Sequence, residues 1–154
     1  MSLAILPAEL EKIKEHAVSA YPNECCGALF GKEVEGWKLV TDAWPLENAA
    51  EMGKAVTWEP AESPRRRFEV AVEDFQACER YAREQRLQLL GFYHSHPDCP
   101  ARPSQHDLER AWPFFSYVIL SVQQGAPGEV TSWELAEDRS RFLREIMETA
   151  FGSS

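Results

Sequence analysis

Four residues in one short stretch have the types and spacing for metal chemistry. They are His94, His96, Ser104 and Asp107, within His94-Ser95-His96-Pro97-Asp98-Cys99-Pro100-Ala101-Arg102-Pro103-Ser104-Gln105-His106-Asp107. On a strand alternate side chains share a face, so His94 and His96 project the same way with α-carbons about 6–7 Å apart. Two imidazoles can then converge on one ion. The prolines end the strand and turn the chain, and Asp107 falls in the first turn of a helix starting at Ser104, from where a carboxylate can return to the same ion. Two neutral imidazoles and one carboxylate make the three-ligand set of a catalytic zinc, with the fourth position open to a water whose pKa falls to about 7. Each piece has a simpler reading. His-x-His pairs are often surface or core residues, and Ser104-x-x-Asp107 is also a capping-box-like helix start. Capping explains neither the histidines nor the proline-built return, and one serine and one helix can serve both purposes.

These side chains need elements to hold them. Pro7 suits a first helical turn, and Leu10, Ile13 and Ala17 make an amphipathic helix ending near Tyr21-Pro22. Cys25 to Phe30 and Trp37 to Trp44 read as strands. Residues from about Asn48 to Arg67 are too long for an ordinary connection and form a candidate functional loop, with Thr57-Trp58 able to pair as a short strand. A second helix, about Val72 to Arg86, sets Val72, Phe75, Cys78 and Ala82 on one side and pairs Glu79 with Arg83. Leu87 to His96 is the strand carrying the histidines. Tyr117–Val122, the most apolar run, is a central strand, and Val130–Leu135 follows the turn at Gly125–Gly128. In the tail, Phe142, Leu143, Ile146, Met147 and Ala150 have helical spacing, while a last strand from Phe142 is equally compatible. The alternation of helices and strands gives a mixed α/β layer structure.

The 154 residues fit a single domain, with a core over about 5–137 and a tail, 138–154, of open structure. Apolar residues at 44% and charged residues at 27% are globular values and exclude disorder. No run approaches the roughly 20 apolar residues of a membrane span, and the N-terminus lacks a basic region followed by an apolar one, so a soluble, unexported, cytoplasmic protein is expected. A net charge of −9 disfavours nucleic acid. Arg65, Arg66 and Arg67 are read as a solvated loop or a handle for an acidic partner. Cys25, Cys26, Cys78 and Cys99 form neither a C-x-x-C pair nor a disulfide framework, which suits reduced thiols. His106 neighbours Asp107 on the helix and would face elsewhere, His16 lies mid-helix, and Cys99 could reach the open metal position as a thiolate.

His94-x-His96-Pro97, six residues, then Ser104-x-x-Asp107 resembles the signature of the JAMM (MPN+) metallopeptidase family, in its compact prokaryotic single-domain form. The upstream stretch Tyr21-Pro22-Asn23-Glu24-Cys25-Cys26-Gly27 is similar to that family's glutamate-bearing segment, and the likeness runs in order from about residue 5 to residue 135. The resemblance implies a mixed β-sheet flanked by helices, of MPN/cytidine-deaminase-like type, with one zinc on His94, His96 and Asp107. It implies that Glu24 is the general base, taking a proton from water and passing it to the leaving amine, and that Ser104 donates to the developing oxyanion. It also implies a substrate: a peptide or isopeptide bond at the C-terminal tail of a ubiquitin-like or sulfur-carrier protein, with the tail added as a strand and the Asn48–Arg67 loop as clamp.

Two other classes use similar residues. A small-molecule metallohydrolase on the same fold would share the ligands, although a deaminase needs a Pro-Cys-x-x-Cys element that is absent. A non-catalytic binding module would hold zinc in a closed four-ligand site, whereas this chain offers three good ligands.

Overall fold

The computed structural model describes residues 2–46 and 72–150. The Asn48–Arg67 loop, with Thr57-Trp58 and the three arginines, lies outside the described residues. Among these the chain forms strands β1 (Ser2–Ile5), β2 (Cys26–Val34), β3 (Trp37–Leu46), β4 (Gln88–Pro97), β5 (Ser116–Gln123), β6 (Ala126–Leu135), β7 (Phe142–Glu145) and β8 (Met147–Thr149). The helices are α1 (Pro7–Ala20), α2 (Val72–Gln85) and α3 (Gln105–Arg110).

All eight strands join one mixed sheet in the order β7-β6-β5-β4-β2-β3-β1-β8. The β2–β4 and β5–β6 pairs are antiparallel, and β4–β5 is parallel. The two outermost strands, β7 and β8, are separated in sequence by Ile146 alone, so the sheet curls until one length of chain borders both edges. The amide of Leu3 donates to the Ile146 carbonyl at 2.9 Å, at that junction.

Alternation along the strands sorts side chains onto two faces. On one, Ile13 and Ala17 of α1, four residues apart, pack with Leu29, Val40, Leu90, Tyr93, Val118 and Leu120. On the other, Cys78 and Ala82 of α2 pack with Ala28, Phe30, Phe92 and Tyr117. Close approach is decisive at Gly27, where a Cβ would sit 2.0 Å from the Tyr93 ring. Without a side chain there, Tyr93 lies across β2 and its hydroxyl meets His16 Nδ1 at 2.7 Å.

The mixed α/β architecture agrees with the sequence, and both long helices fall within a residue or two of their expected bounds. Three details differ. β1 was not foreseen, because four residues are too few for alternation to register. The tail is two short strands, and its helical spacing is accidental: Leu143 and Ile146 face solvent. Val72 is 69% exposed, so the packed side of α2 begins at Phe75.

Candidate metal centre

β4 carries His94 and His96 on the face that looks toward α3, and both are buried. Pro97 closes the strand, and residues 98–104 bring the chain back to α3, whose N-cap is Ser104. The Ser104 hydroxyl accepts from the Asp107 amide at 3.1 Å, while Asp107 Oδ2 accepts from the Ser104 amide at 2.8 Å. This reciprocal box satisfies two amides of the helix start and fixes the Asp107 rotamer. The capping reading and the ligand reading of this pair therefore coexist, since the same Oδ2 also reaches the imidazoles.

His94 Nε2 and His96 Nε2 are 3.1 Å apart, and Asp107 Oδ2 lies 3.3 Å from the first and 3.2 Å from the second. Ligands set tetrahedrally about 2.0–2.1 Å from a zinc ion stand about 3.3–3.4 Å from one another. The three atoms already have nearly that spacing. Their proton count points the same way. His96 Nδ1 lies 2.9 Å from the Pro100 carbonyl, which only accepts, so Nδ1 carries the proton and Nε2 presents a lone pair. At most one proton, on His94 Nε2, is then shared among the converging atoms, and a divalent cation would satisfy all three. These residues fit a zinc ion by donor type, spacing and tautomer. Burial opposes ionisation of Asp107, but the His94 and His96 imidazoles beside it hold its carboxyl well below the usual carboxylate range.

The return loop is tied down from β5 and β6. Ser121 Oγ donates to the Cys99 carbonyl at 2.6 Å, and Thr131 Oγ1 donates to the Ala101 carbonyl at 2.6 Å. The Pro100 carbonyl that orients His96 lies between these two anchors. Sequence reading missed this support, since Ser121 and Thr131 sit in runs that look like ordinary strand.

Glu24 precedes β2 and is 3% exposed. It stands two residues before Cys26, which pairs with His94 across the β2–β4 ladder. Ser104, in contrast to the buried ligands, is exposed. The side chain of His106 lies outside the described residues. Cys99 is free and exposed; Cys25, Cys26 and Cys78 are free and buried, and burial pushes the Cys25 thiol up to about 11 and the Cys78 thiol up to about 12. None of those buried thiols is poised as a thiolate nucleophile.

The fold agrees with what similarity to known proteins shows. The profile of prokaryotic homologues of the JAB domain matches residues 7–136, and the chain belongs to that JAB/MPN family. A protein named desampylase from Haloferax volcanii is 34% identical over 141 residues, covering 90% of this chain and 88% of the relative. A protein from Salinibacter ruber, solved in solution, is 40% identical with a TM-score of 0.71, covering 98% of this chain and 94% of that one. A JAB1/MPN domain protein from Archaeoglobus fulgidus shares the fold with a TM-score of 0.55 at 18% identity, covering 96% and 99%.

Proposed function

We propose that this chain is a zinc-dependent peptidase or isopeptidase acting at the C-terminal tail of a ubiquitin-like protein. The observation that carries the reading is the convergence of His94 Nε2, His96 Nε2 and Asp107 Oδ2 at 3.1–3.3 Å. When bound, the ion acts as a Lewis acid that makes water nucleophilic near neutral pH and polarises the scissile carbonyl. His94, His96 and Asp107 hold it. Glu24, buried just before the strand that pairs with the His94 strand, takes the proton from the attacking water and returns it to the leaving amine, which a free amine requires to depart. Ser104, whose oxygen is engaged as an acceptor by the Asp107 amide, keeps its hydroxyl proton to donate to the oxyanion.

The substrate class is supported by the desampylase likeness, which extends over nearly the whole of both chains. A single soluble partner protein, with no nucleic acid, is consistent with the charge of −9.

The test is metal content by plasma emission alongside turnover of a Gly-Gly-ended ubiquitin-like protein carrying a C-terminal fluorogenic amide. One zinc per chain is expected in the wild type and in Glu24→Gln, and none in His96→Ala. Glu24→Gln should cut turnover by about 10²–10⁴-fold. A chain that takes up no stoichiometric metal after reconstitution would sink the proposal. Stoichiometric zinc with cleavage of small amides but not of the protein tail would favour the small-molecule metallohydrolase.

A further inference from the structure

A general base in a loop must be held to within about half an ångström of its working position, and Glu24 lies outside β2, where no sheet ladder fixes it. Building on the proposed function above, we infer that Ser95, together with the Tyr21–Asp98 pair, consists of positioning residues that set Glu24 against the metal ligands.

Segment 21–25, which carries the base, is joined to segment 94–98, which carries the imidazoles, on both sides of Glu24. Before it, the Tyr21 hydroxyl donates to Asp98 Oδ2 at 2.7 Å. After it, the Ser95 amide donates to the Cys25 carbonyl at 3.1 Å, and the Cys25 amide donates to Ser95 Oγ at 2.9 Å. The last bond is the unusual one. In a regular antiparallel pair that amide would reach a backbone carbonyl; here a side chain between the two histidines completes the pair. Ser95 is fully buried and points away from the imidazoles, because alternate strand positions face opposite ways. It therefore acts on the base side of the centre without touching the ion.

Asp98 has a φ of +55, a left-handed conformation that favours glycine. Glycine there would lose two contacts, since Asp98 Oδ1 also accepts from the Gln124 amide at 2.8 Å. The loop thus holds an aspartate, one of the few side chains tolerated at such a φ, and that aspartate ties the chain entering Glu24 to both the His94–His96 strand and the β5–β6 turn.

The experiment compares zinc-loaded wild type, Ser95→Ala, Ser95→Thr and Tyr21→Phe, each with Glu24 intact and in the Glu24→Gln background, on the same fluorogenic ubiquitin-like substrate. With Glu24 present, Ser95→Ala should lower kcat by about 10–100-fold at unchanged KM, because a misplacement of about 1 Å costs on that order. It should keep one zinc. Ser95→Thr, which retains an oxygen at the same place, should stay within about 3-fold of wild type, and Tyr21→Phe, whose bond is solvent-exposed, should lose about 3-fold. In the Glu24→Gln background neither Ser95→Ala nor Tyr21→Phe should have a further effect, since a residue acting through the base has nothing left to act on.

Full kcat in Ser95→Ala, zinc lost in step with activity, or a loss that persists without Glu24 would each overturn the inference. If Ser95→Ala does not fold, Tyr21→Phe decides by the same two comparisons. If wild type with zinc does not cleave the substrate, the functional reading falls by itself. The tether is then read from hydrogen exchange of the Cys25 amide, which Ser95→Ala accelerates by at least about 10-fold if the hydroxyl holds it and leaves unchanged if not.

Discussion

Two clusters of buried polar side chains lie in this sheet, and they solve burial in opposite ways. At one end, His94, His96 and Asp107 crowd together with at most one proton among them. Toward the other, the ammonium of Lys38, 2% exposed, reaches from β3 across the curled sheet. It donates to Ser116 Oγ at 2.9 Å and the Phe114 carbonyl at 3.0 Å, and lies 3.6 Å from Glu134. Ser132 Oγ adds a bond to Glu145 at 2.6 Å. The second cluster carries its own cation and its own donors. The first has no lysine or arginine in it, only three side chains whose ligand atoms converge on one point. Burial and charge are common to both; the supply of donors separates a cluster that is satisfied within the fold from one whose geometry suits an ion.

The largest test of that contrast is removal of the cation from each. Chelation should abolish turnover and lower the thermal midpoint, with zinc restoring both, because ligand binding to the folded state adds stability by mass action. Lys38→Met should do the reverse, keeping one zinc per chain while costing about 1–3 kcal/mol in denaturant unfolding, as expected when buried acceptors lose a charged donor. Zinc loss in Lys38→Met, or a chelated protein as stable as the loaded one, would erase the distinction.

A sharper contrast comes from pH. The imidazoles must be neutral to bind an ion, so zinc affinity should fall as pH drops, measurable by titration with a competing chelator. In the other cluster burial pushes the Glu145 carboxyl up to about 7 from an ordinary 4.5. A folded-state value above the unfolded one favours folding at low pH, and that stability is lost as pH rises from about 4.5 through 7. Glu145→Gln keeps an acceptor for Ser132 and carries no charge at any pH. It should therefore gain stability over wild type at pH 8 and show no gain at pH 4, read from urea midpoints. The smallest expected effect on stability is that of Ser104→Ala, about 1 kcal/mol lost from the helix cap in urea unfolding, with turnover falling by about 10²-fold through the missing donor.

The convergence of His94, His96 and Asp107 was legible because its constraints are local: strand alternation places two histidines, and a capping box places the aspartate. The Glu24 role came from resemblance, as nothing in the spacing of a lone glutamate at a strand start reveals it. Sequence reading missed whatever depends on curvature. Lys38 looks like a surface lysine until the sheet brings β5 and β6 within its reach, and Ser95 looks like a spacer until β2 lies beside it. The tail stayed open between helix and strand for another reason, and the strand from Phe142 is the reading that holds. Ile146 separates two short strands, so neither is long enough to show a period of two.

Those two strands decide the order in which the molecule can be completed. Before residues 142–149 leave the ribosome, β6 and β1 each end in an open row of amides and carbonyls, the template for pairing with a foreign strand. β7 pairs locally with β6, but β8 pairs with β1, Leu3 opposite Met147, and such distant pairing forms slowly. Pairing of residues 142–149 then covers both margins together and replaces two long edges with edge strands of four and three residues, too short to template a foreign strand well.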